Sequence, residues 1–256
     1  MTRTHDSADT LLIDAGNSRL KWAIWRDGVL VEHGSSDYND DEDRGVAAAL
    51  EGVGSVRRVA LGSVASSAVA KGVRAWAASR APTLDVRDVA VEPLPVLEPA
   101  YSDYGSLGVD RWLALLGARS LYPGHVCVAD CGTALTLDAL AADGRHLGGV
   151  IVPGYTLMQE ALLTQTARIR DADQPLPDTV FGTSTGAAVN AGATFSLAAV
   201  LDRFVAETRE RLEGEVVVFA TGGARERLLR FATCDVIDEP DLVLLGLAAR
   251  LQIDRD

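Results

Sequence analysis

The tightest constraint on this chain is an internal repeat. Residues 11–18 read LLIDAGNS and residues 127–134 read CVADCGTA. Each is a short apolar run, then an aspartate, one spacer, a glycine and small polar residues. The two aspartates, Asp14 and Asp130, stand 116 residues apart in a chain of 256. After each, a second strand pattern follows at once, then an Asp-Gly pair (Asp27-Gly28 and Asp143-Gly144) and a third strand. Asp-Gly is a hairpin signal, because both central residues of a tight hairpin turn take positive φ. Two duplicated α/β domains with a cleft between them are the economical expectation. The length suits two domains of about 100–150 residues each.

The remaining pattern fits that plan. Strands are expected over residues 11–14, 19–25, 29–33 and 59–63, then over 126–130, 134–139, 146–152 and 216–220. Helical spacing covers 67–79, 112–121, 156–169, 187–212, 224–230 and 241–251. Residues 89–104 carry Pro93, Pro95 and Pro99, which argue against a regular element. The acidic run 37–44 reads as a solvated loop or helix start. A boundary near residues 116–124 divides the chain into expected domains 1–118 and 119–256. Trp22, Trp25, Trp76 and Trp112 read as packing residues.

Composition excludes several classes of function. The net charge of −12 disfavours nucleic-acid binding and anionic membrane surfaces. A phosphate ligand must then be held locally, by backbone N–H groups, a few cations or a metal. No apolar run approaches a membrane span, and the polar start MTRTHDSADT is no signal peptide, so a cytoplasmic protein is expected. The three cysteines, Cys127, Cys131 and Cys234, are no disulfide framework. With four scattered histidines they read as small buried residues rather than as a zinc site.

The loops carry the chemistry. In Asp14-Ala15-Gly16-Asn17-Ser18 a strand end delivers a carboxylate, and glycine lets the backbone approach a ligand. Asn17 and Ser18 supply donors that suit phosphate oxygens, Lys21 adds a positive charge, and Asp14 can orient hydrated Mg²⁺. Asp130-Cys131-Gly132-Thr133-Ala134 repeats the device, with Thr133 as phosphate donor and Asp130 as cation ligand. Two such loops on opposite walls of a cleft can grip a polyphosphate from both sides. Thr221-Gly222-Gly223-Ala224 is either a nucleotide-facing βα turn or a turn that needs flexible φ. Gly108-Val109-Asp110-Arg111 is either a surface ion pair in a loop, or a general base (Asp110) beside a guanidinium clamp (Arg111).

Taken together, Asp14-X-Gly-Asn-Ser, Gly108-Val-Asp-Arg, Asp130-X-Gly-Thr-Ala and the run GGVIVPG at 148–154 resemble the type III pantothenate kinases. The order and spacing of the motifs fit roughly residues 11–250. The resemblance implies duplicated ribonuclease-H-like domains of the acetate and sugar kinase/Hsp70/actin superfamily, with ATP in the inter-domain cleft. It implies transfer of the ATP γ-phosphate to pantothenate, the first step of coenzyme A biosynthesis, by a homodimer with pantothenate bound near the subunit interface.

By the same resemblance Asp110 is the base. Gly108, Val109, Asp110 and Arg111 line the pantothenate site, Tyr101 closes over the substrate and Thr185 reaches it from across the dimer. A plain helix N-cap at Thr185 is a compatible reading. Asp14, Ala15, Gly16, Asn17, Ser18, Arg19, Leu20 and Lys21 form the first ATP loop, and Thr133 contacts ATP in the second. Asp130 holds a monovalent cation, potassium or ammonium, and Mg²⁺ accompanies ATP. Ser18 stands where the family commonly has threonine, which keeps the hydroxyl, and Ser184 stands where asparagine is frequent. Another kinase or a polyphosphate phosphatase of the same fold, and a nucleotide-binding regulator without catalysis, are the rival readings.

Overall fold

The computed structural model describes residues 9–37, 42–165 and 175–253. The chain runs through β1 (Thr10–Ala15), β2 (Arg19–Arg26), β3 (Val29–Asp37), α1 (Glu42–Leu50), β4 (Arg58–Ser63), α2 (Ser67–Arg80) and β5 (Asp85–Asp88). A 3-10 turn at Tyr104–Ser106 leads into α3 (Val109–Leu121). The second series is β6 (His125–Cys131), β7 (Ala134–Leu140), β8 (His146–Pro153), α4 (Tyr155–Gln165), α5 (Thr185–Arg211), β9 (Val216–Thr221), α6 (Arg225–Leu229), β10 (Ile237–Asp238) and α7 (Leu242–Ile253). Most expected elements are present, with ends moved by a few residues. The expected helix 156–169 is described only to Gln165, and of the acidic run, positions 38–41 lie outside the described residues.

The repeat is carried by two sheets of the same topology. One has the order β3-β2-β1-β4-β5, and the other, read in the matching direction, β8-β7-β6-β9-β10. In each, the first three strands form an antiparallel meander, and the first then pairs in parallel with the fourth. The matching Asp-Gly turns close the corresponding hairpins. Asp27 (φ 49°) and Gly28 (φ 87°) both take positive φ, as a two-residue hairpin turn requires. At the second, Gly144 (φ 90°) ends a three-residue loop between Ala141 and Arg145, whose backbones are hydrogen-bonded. A register shift follows each turn in space, at Ile24/Trp25 and at Ala139/Leu140.

The chain packs as two compact units. One comprises the described residues up to Glu92, Asp103–Gly117 and the chain from Val243 onward; the other comprises Pro93–Ser102 and Ala118–Leu242. In the first, the central strand β1 is apolar on both faces, as a strand covered on both sides must be. Leu11 and Ile13 pack with Leu20, Trp22 and Ile24 of β2 against Val46 and Leu50 of α1 and Val69, Val73 and Trp76 of α2. Leu113 of α3 and Leu247 of α7 stand over β4 at Gly62. Trp22 donates its indole N–H to the Ala49 carbonyl at 2.7 Å, and Trp112 is fully buried, so both serve packing.

In the second unit, β6 and β7 pack through Cys127, Ala129, Cys131, Leu135 and Leu137 against Leu197, Leu201 and Val205 of the 27-residue α5. Arg119, near the end of α3, donates to the carbonyls of Gly124 (2.8 Å), Pro123 and Ala141. It thereby satisfies acceptors in the turn after the helix and ties it to the β7–β8 hairpin. Two short strands, β5 and β10, lay outside the expectations. They are polar parallel additions at the sheet edges, with no hydrophobic alternation to announce them.

Two measurements test this packing. A Cβ on Gly246 of α7 would lie 2.0 Å from the Leu113 carbonyl oxygen. Gly246→Ala should therefore lower stability by about 1–3 kcal/mol. Gly192→Ala, in open space within α5, should raise it by about 0.5–1 kcal/mol. Urea midpoints at constant slope read both, and equal midpoints for the two variants would refute the α3–α7 contact. Burial pushes the Cys127 thiol up to about 11 and raises Cys131 as well; burial, then Asp202, lifts Cys234 to about 11. The native thiols should thus stay protonated and slow toward a disulfide reagent at pH 8, gaining rate only as the pH nears 11. A fast native reaction at pH 8 would contradict the burial of Cys127 and Cys131 and the partial burial of Cys234 beside Asp202.

Candidate active site

The first loop is built at the end of β1. Asp14 lies opposite Lys21 on β2 and beside Gly62 on β4. Four residues, 16–19, connect the last pair Ala15–Leu20, and the Gly16 N–H closes the turn on the Arg19 carbonyl at 3.0 Å. The Ala15 carbonyl accepts from Val64 (3.0 Å) and Ala65 (3.2 Å), which fixes the loop to the end of β4. Asn17 and Ser18 are exposed and Asp14 is half-buried. Ala15 and Leu20 are fully buried, so only their backbones are available to a ligand. The Arg19 guanidinium engages Asp37 on β3 (2.5 and 3.0 Å), which holds the Asp37 carboxyl below its usual range. Both side chains are about half exposed, so the pair adds little stability.

The second loop is the same device with one residue fewer. Asp130 lies opposite Thr136 on β7 and beside Thr221 on β9, and three residues connect Cys131 to Leu135. The Gly132 N–H donates to the Ala134 carbonyl at 3.0 Å, and Gly132 and Thr133 are exposed. Two other motifs converge on this loop. Gly154, ending the 148–154 run, donates its N–H to the Thr133 carbonyl at 3.0 Å, and a Cβ there would lie 2.5 Å from that oxygen. Gly222 (φ 91°), in the 221–224 turn, faces the Asp130 carboxylate so closely that a Cβ would lie 2.5 Å from Oδ1. Ala224 then donates to the Cys131 carbonyl at 2.9 Å. The 221–224 turn thus needs a positive φ, and it also brings backbone to the side of Asp130.

One expectation is corrected. Gly108–Arg111 is not a loop. Helix α3 begins at Val109, three residues earlier than the apolar pattern suggested, and Asp110 and Arg111 lie in its first turn. The Gly108 carbonyl accepts from Trp112 at 3.1 Å, and Asp110 Oδ1 accepts from the Arg111 N–H at 2.8 Å. A carboxylate is favoured there, because the first turn's N–H groups lack helical acceptors and the helix dipole is positive at that end. Val109 is buried, so its backbone rather than its side chain can meet a ligand. Arg111 is only 6% exposed, which is incompatible with a surface ion pair.

In the second unit Tyr101 stacks on the His146 ring, with centroids 6.3 Å apart and planes 6° from parallel. Thr185 is the exposed first residue of α5, and the N-cap is its neighbour Ser184, whose hydroxyl accepts from the Ala187 N–H at 3.2 Å. The capping role therefore belongs to Ser184 and not to Thr185. Asp138 and His146, not among the expected site residues, form a buried pair at 3.0 Å. Tyr155, Gln159 and Asn190 form a second buried polar group, which the half-buried Arg227 joins. The signal for the first was a carboxylate and an imidazole within two otherwise apolar strands of one hairpin.

Among the described residues no three or more His, Cys, Asp or Glu side chains gather to hold a metal. A cation at Asp130 would thus draw on one carboxylate together with carbonyl, phosphate or water oxygens. Such oxygen donors suit potassium or hydrated magnesium.

The family model for type III pantothenate kinase matches residues 10–207. The type III pantothenate kinase of Nitrosococcus oceani is 36% identical over 250 residues, covering 93% of this chain and 92% of that one. That of Ectopseudomonas mendocina is 38% identical, covering 93% and 97%. Among solved structures, a Baf family transcriptional activator from Campylobacter jejuni superposes with a TM-score of 0.61 at 17% identity, over 96% of this chain and 98% of that one. A 2-dehydro-3-deoxygalactonokinase from Sinorhizobium meliloti superposes at 0.53 and 15%, over 95% and 99%. These structures share the fold of this chain, with its two α/β sheets of one topology. By sequence, the chain belongs to the type III pantothenate kinase family.

Proposed function

We propose that this protein transfers the γ-phosphoryl group of ATP to the hydroxyl of pantothenate, giving 4′-phosphopantothenate and ADP, at the start of coenzyme A synthesis. The observation that carries the reading is the duplicated strand-end aspartate, Asp14 and Asp130, each beside a glycine turn with exposed donors, in a chain of this family. The change-over between the duplicated domains is placed near residue 118. In the reaction the pantothenate oxygen bonds to the γ-phosphorus, the bond from that phosphorus to the ADP oxygen breaks, and Asp110 takes the hydroxyl proton. Positioning and charge stabilisation supply most of the acceleration in such transfers. Arg111 is the cation for the substrate carboxylate or the moving phosphoryl group, with Gly108 and Val109 beside it and Tyr101 and Thr185 completing the pantothenate site.

The ATP contacts are assigned to residues 14–21, where Gly16, Asn17, Ser18 and Lys21 offer donors, and to Thr133. Mg²⁺ would be oriented by Asp14, and a monovalent cation held by Asp130 would place positive charge near the phosphates. A homodimer is supported by the apolar surface of the second unit. Edge strand β8 leaves Val150 and Ile151 39% and 61% exposed, and α4 leaves Leu157 and Leu162 exposed. Unpaired edges and apolar patches of this kind are ordinarily covered. No helix among the described residues is long and apolar enough to cross a membrane.

The test is ADP release with pantothenate, ATP and Mg²⁺, with and without potassium. Turnover should depend on pantothenate and rise with potassium. Asp110→Asn should lower kcat about 10²–10⁴-fold with the KM for ATP retained; near-normal turnover would remove the base assignment. Asp130→Asn should abolish the response to potassium. An unchanged potassium response in that variant would move the cation elsewhere, and folded protein without turnover on pantothenate would refute the substrate.

A further inference from the structure

Residues 93–101 have no regular structure, yet they are held at defined points. Leu94 and Leu97 bond to each other's backbone, and Leu97 is fully buried. Glu98 then runs alongside Arg145: its N–H donates to the Gly144 carbonyl (2.8 Å), and its carbonyl accepts from the His146 N–H (3.0 Å). The backbone attachment ends there, and a side chain continues it. His146 Nδ1 accepts the Ala100 N–H at 3.3 Å, and the next residue, Tyr101, lies on the face of the same ring.

The ring's state follows from its partners. An amide N–H can only donate, so Nδ1 must be an unprotonated acceptor. The hydrogen is therefore on Nε2, which donates to Asp138 Oδ1 at 3.0 Å. Asp138 lies on β7, and the imidazole and the carboxylate have side-chain exposures of 0% and 3%. A carboxylate so placed is costly without a partner, and here it fixes one tautomer and one orientation of the imidazole. Everything the ring touches then inherits that orientation.

The geometry points to Asp138 and His146 as positioning residues for pantothenate. The pair latches the segment ending at Tyr101 to the β7–β8 hairpin, so that the tyrosine ring is already in place when substrate arrives. The inference rests on Tyr101 closing over pantothenate, as proposed above. A pre-set ring lowers the ordering cost of binding and acts on pantothenate affinity, not on the phosphoryl-transfer step.

The variant His146→Phe/Asp138→Leu keeps an aromatic platform and removes both polar partners together, so no buried carboxylate is left unpaired. It should raise the KM for pantothenate about tenfold while kcat and the KM for ATP stay within about twofold. Hydrogen exchange at the Ala100 amide should accelerate. Asp138→Asn, whose amide oxygen still accepts from Nε2, should restore most of the affinity. Tyr101→Ala separates the two levels of the argument. If it raises the KM for pantothenate and the double variant does not, the latch is wrong and the Tyr101 assignment stands. If Tyr101→Ala changes nothing, the assignment fails and the inference with it. A loss spread equally over kcat and both KM values would show a general structural role and also overturn it. On the unaltered protein, pantothenate should shift the ring NMR signals of His146 and ATP alone should not; silence on pantothenate addition would refute the latch even if the double variant did not fold.

Discussion

Each half of the protein depends on a strand that is hydrogen-bonded on both sides. β1 lies between β2 and β4, and β6 lies between β7 and β9. Such a strand has no edge to offer solvent, and side chains along it must be apolar on both faces. Leu11, Leu12 and Ile13 are each 0% exposed, as are Val126, Cys127 and Ala129. On β1 and β6 the charge appears only where the strand leaves the sheet. Asp14 and Asp130 stand at that position, and there the chain must also turn back to start the next strand. Burial, turn and carboxylate thus come together because the same strand end imposes all three.

That coupling made the duplication legible in the sequence. Apolar run, aspartate and glycine are physically linked, so their recurrence predicted the shared three-strand opening of each half and the location of both loops. Features fixed by tertiary contacts were not legible. β5 and β10 are polar and exist because a parallel neighbour supplies their hydrogen bonds. The start of α3 at Val109 was hidden because Asp110 and Arg111 break the apolar pattern, although an acid in a first turn is a helix-start signal. Ser184 and Thr185 are both plausible caps by composition, and only the Ala187 N–H bond separates them.

Helix α3 shows how one element combines an apolar middle with charged ends. Its middle is apolar, with Trp112, Leu113, Leu115 and Leu116 almost wholly buried. That burial holds the helix axis, and in the first turn Asp110 alone is left half-buried between the buried Val109 and Arg111. Asp110 can occupy it because the N–H groups there are better served by a carboxylate than by any apolar side chain. At the other end Arg119 donates to carbonyls just beyond the helix and at the end of β7. Charge of opposite sign at the two ends follows the same dipole.

Asp14, Asp110 and Asp130 sit where water or ligand can reach them, and Asp138 does not. The first three are half-buried. Asp138 is 2% exposed, in the middle of a strand. A half-buried carboxylate at a strand end or helix start keeps contact with solvent, and it can exchange water for another partner. A carboxylate within a sheet has no such exchange available, and it persists because an imidazole donates to it. Position along the element thus separates the aspartates suited to meet ligands from the one suited to hold another residue still. By that criterion Asp138 belongs with His146 as a buried pair, while the other three are the carboxylates left open to exchange.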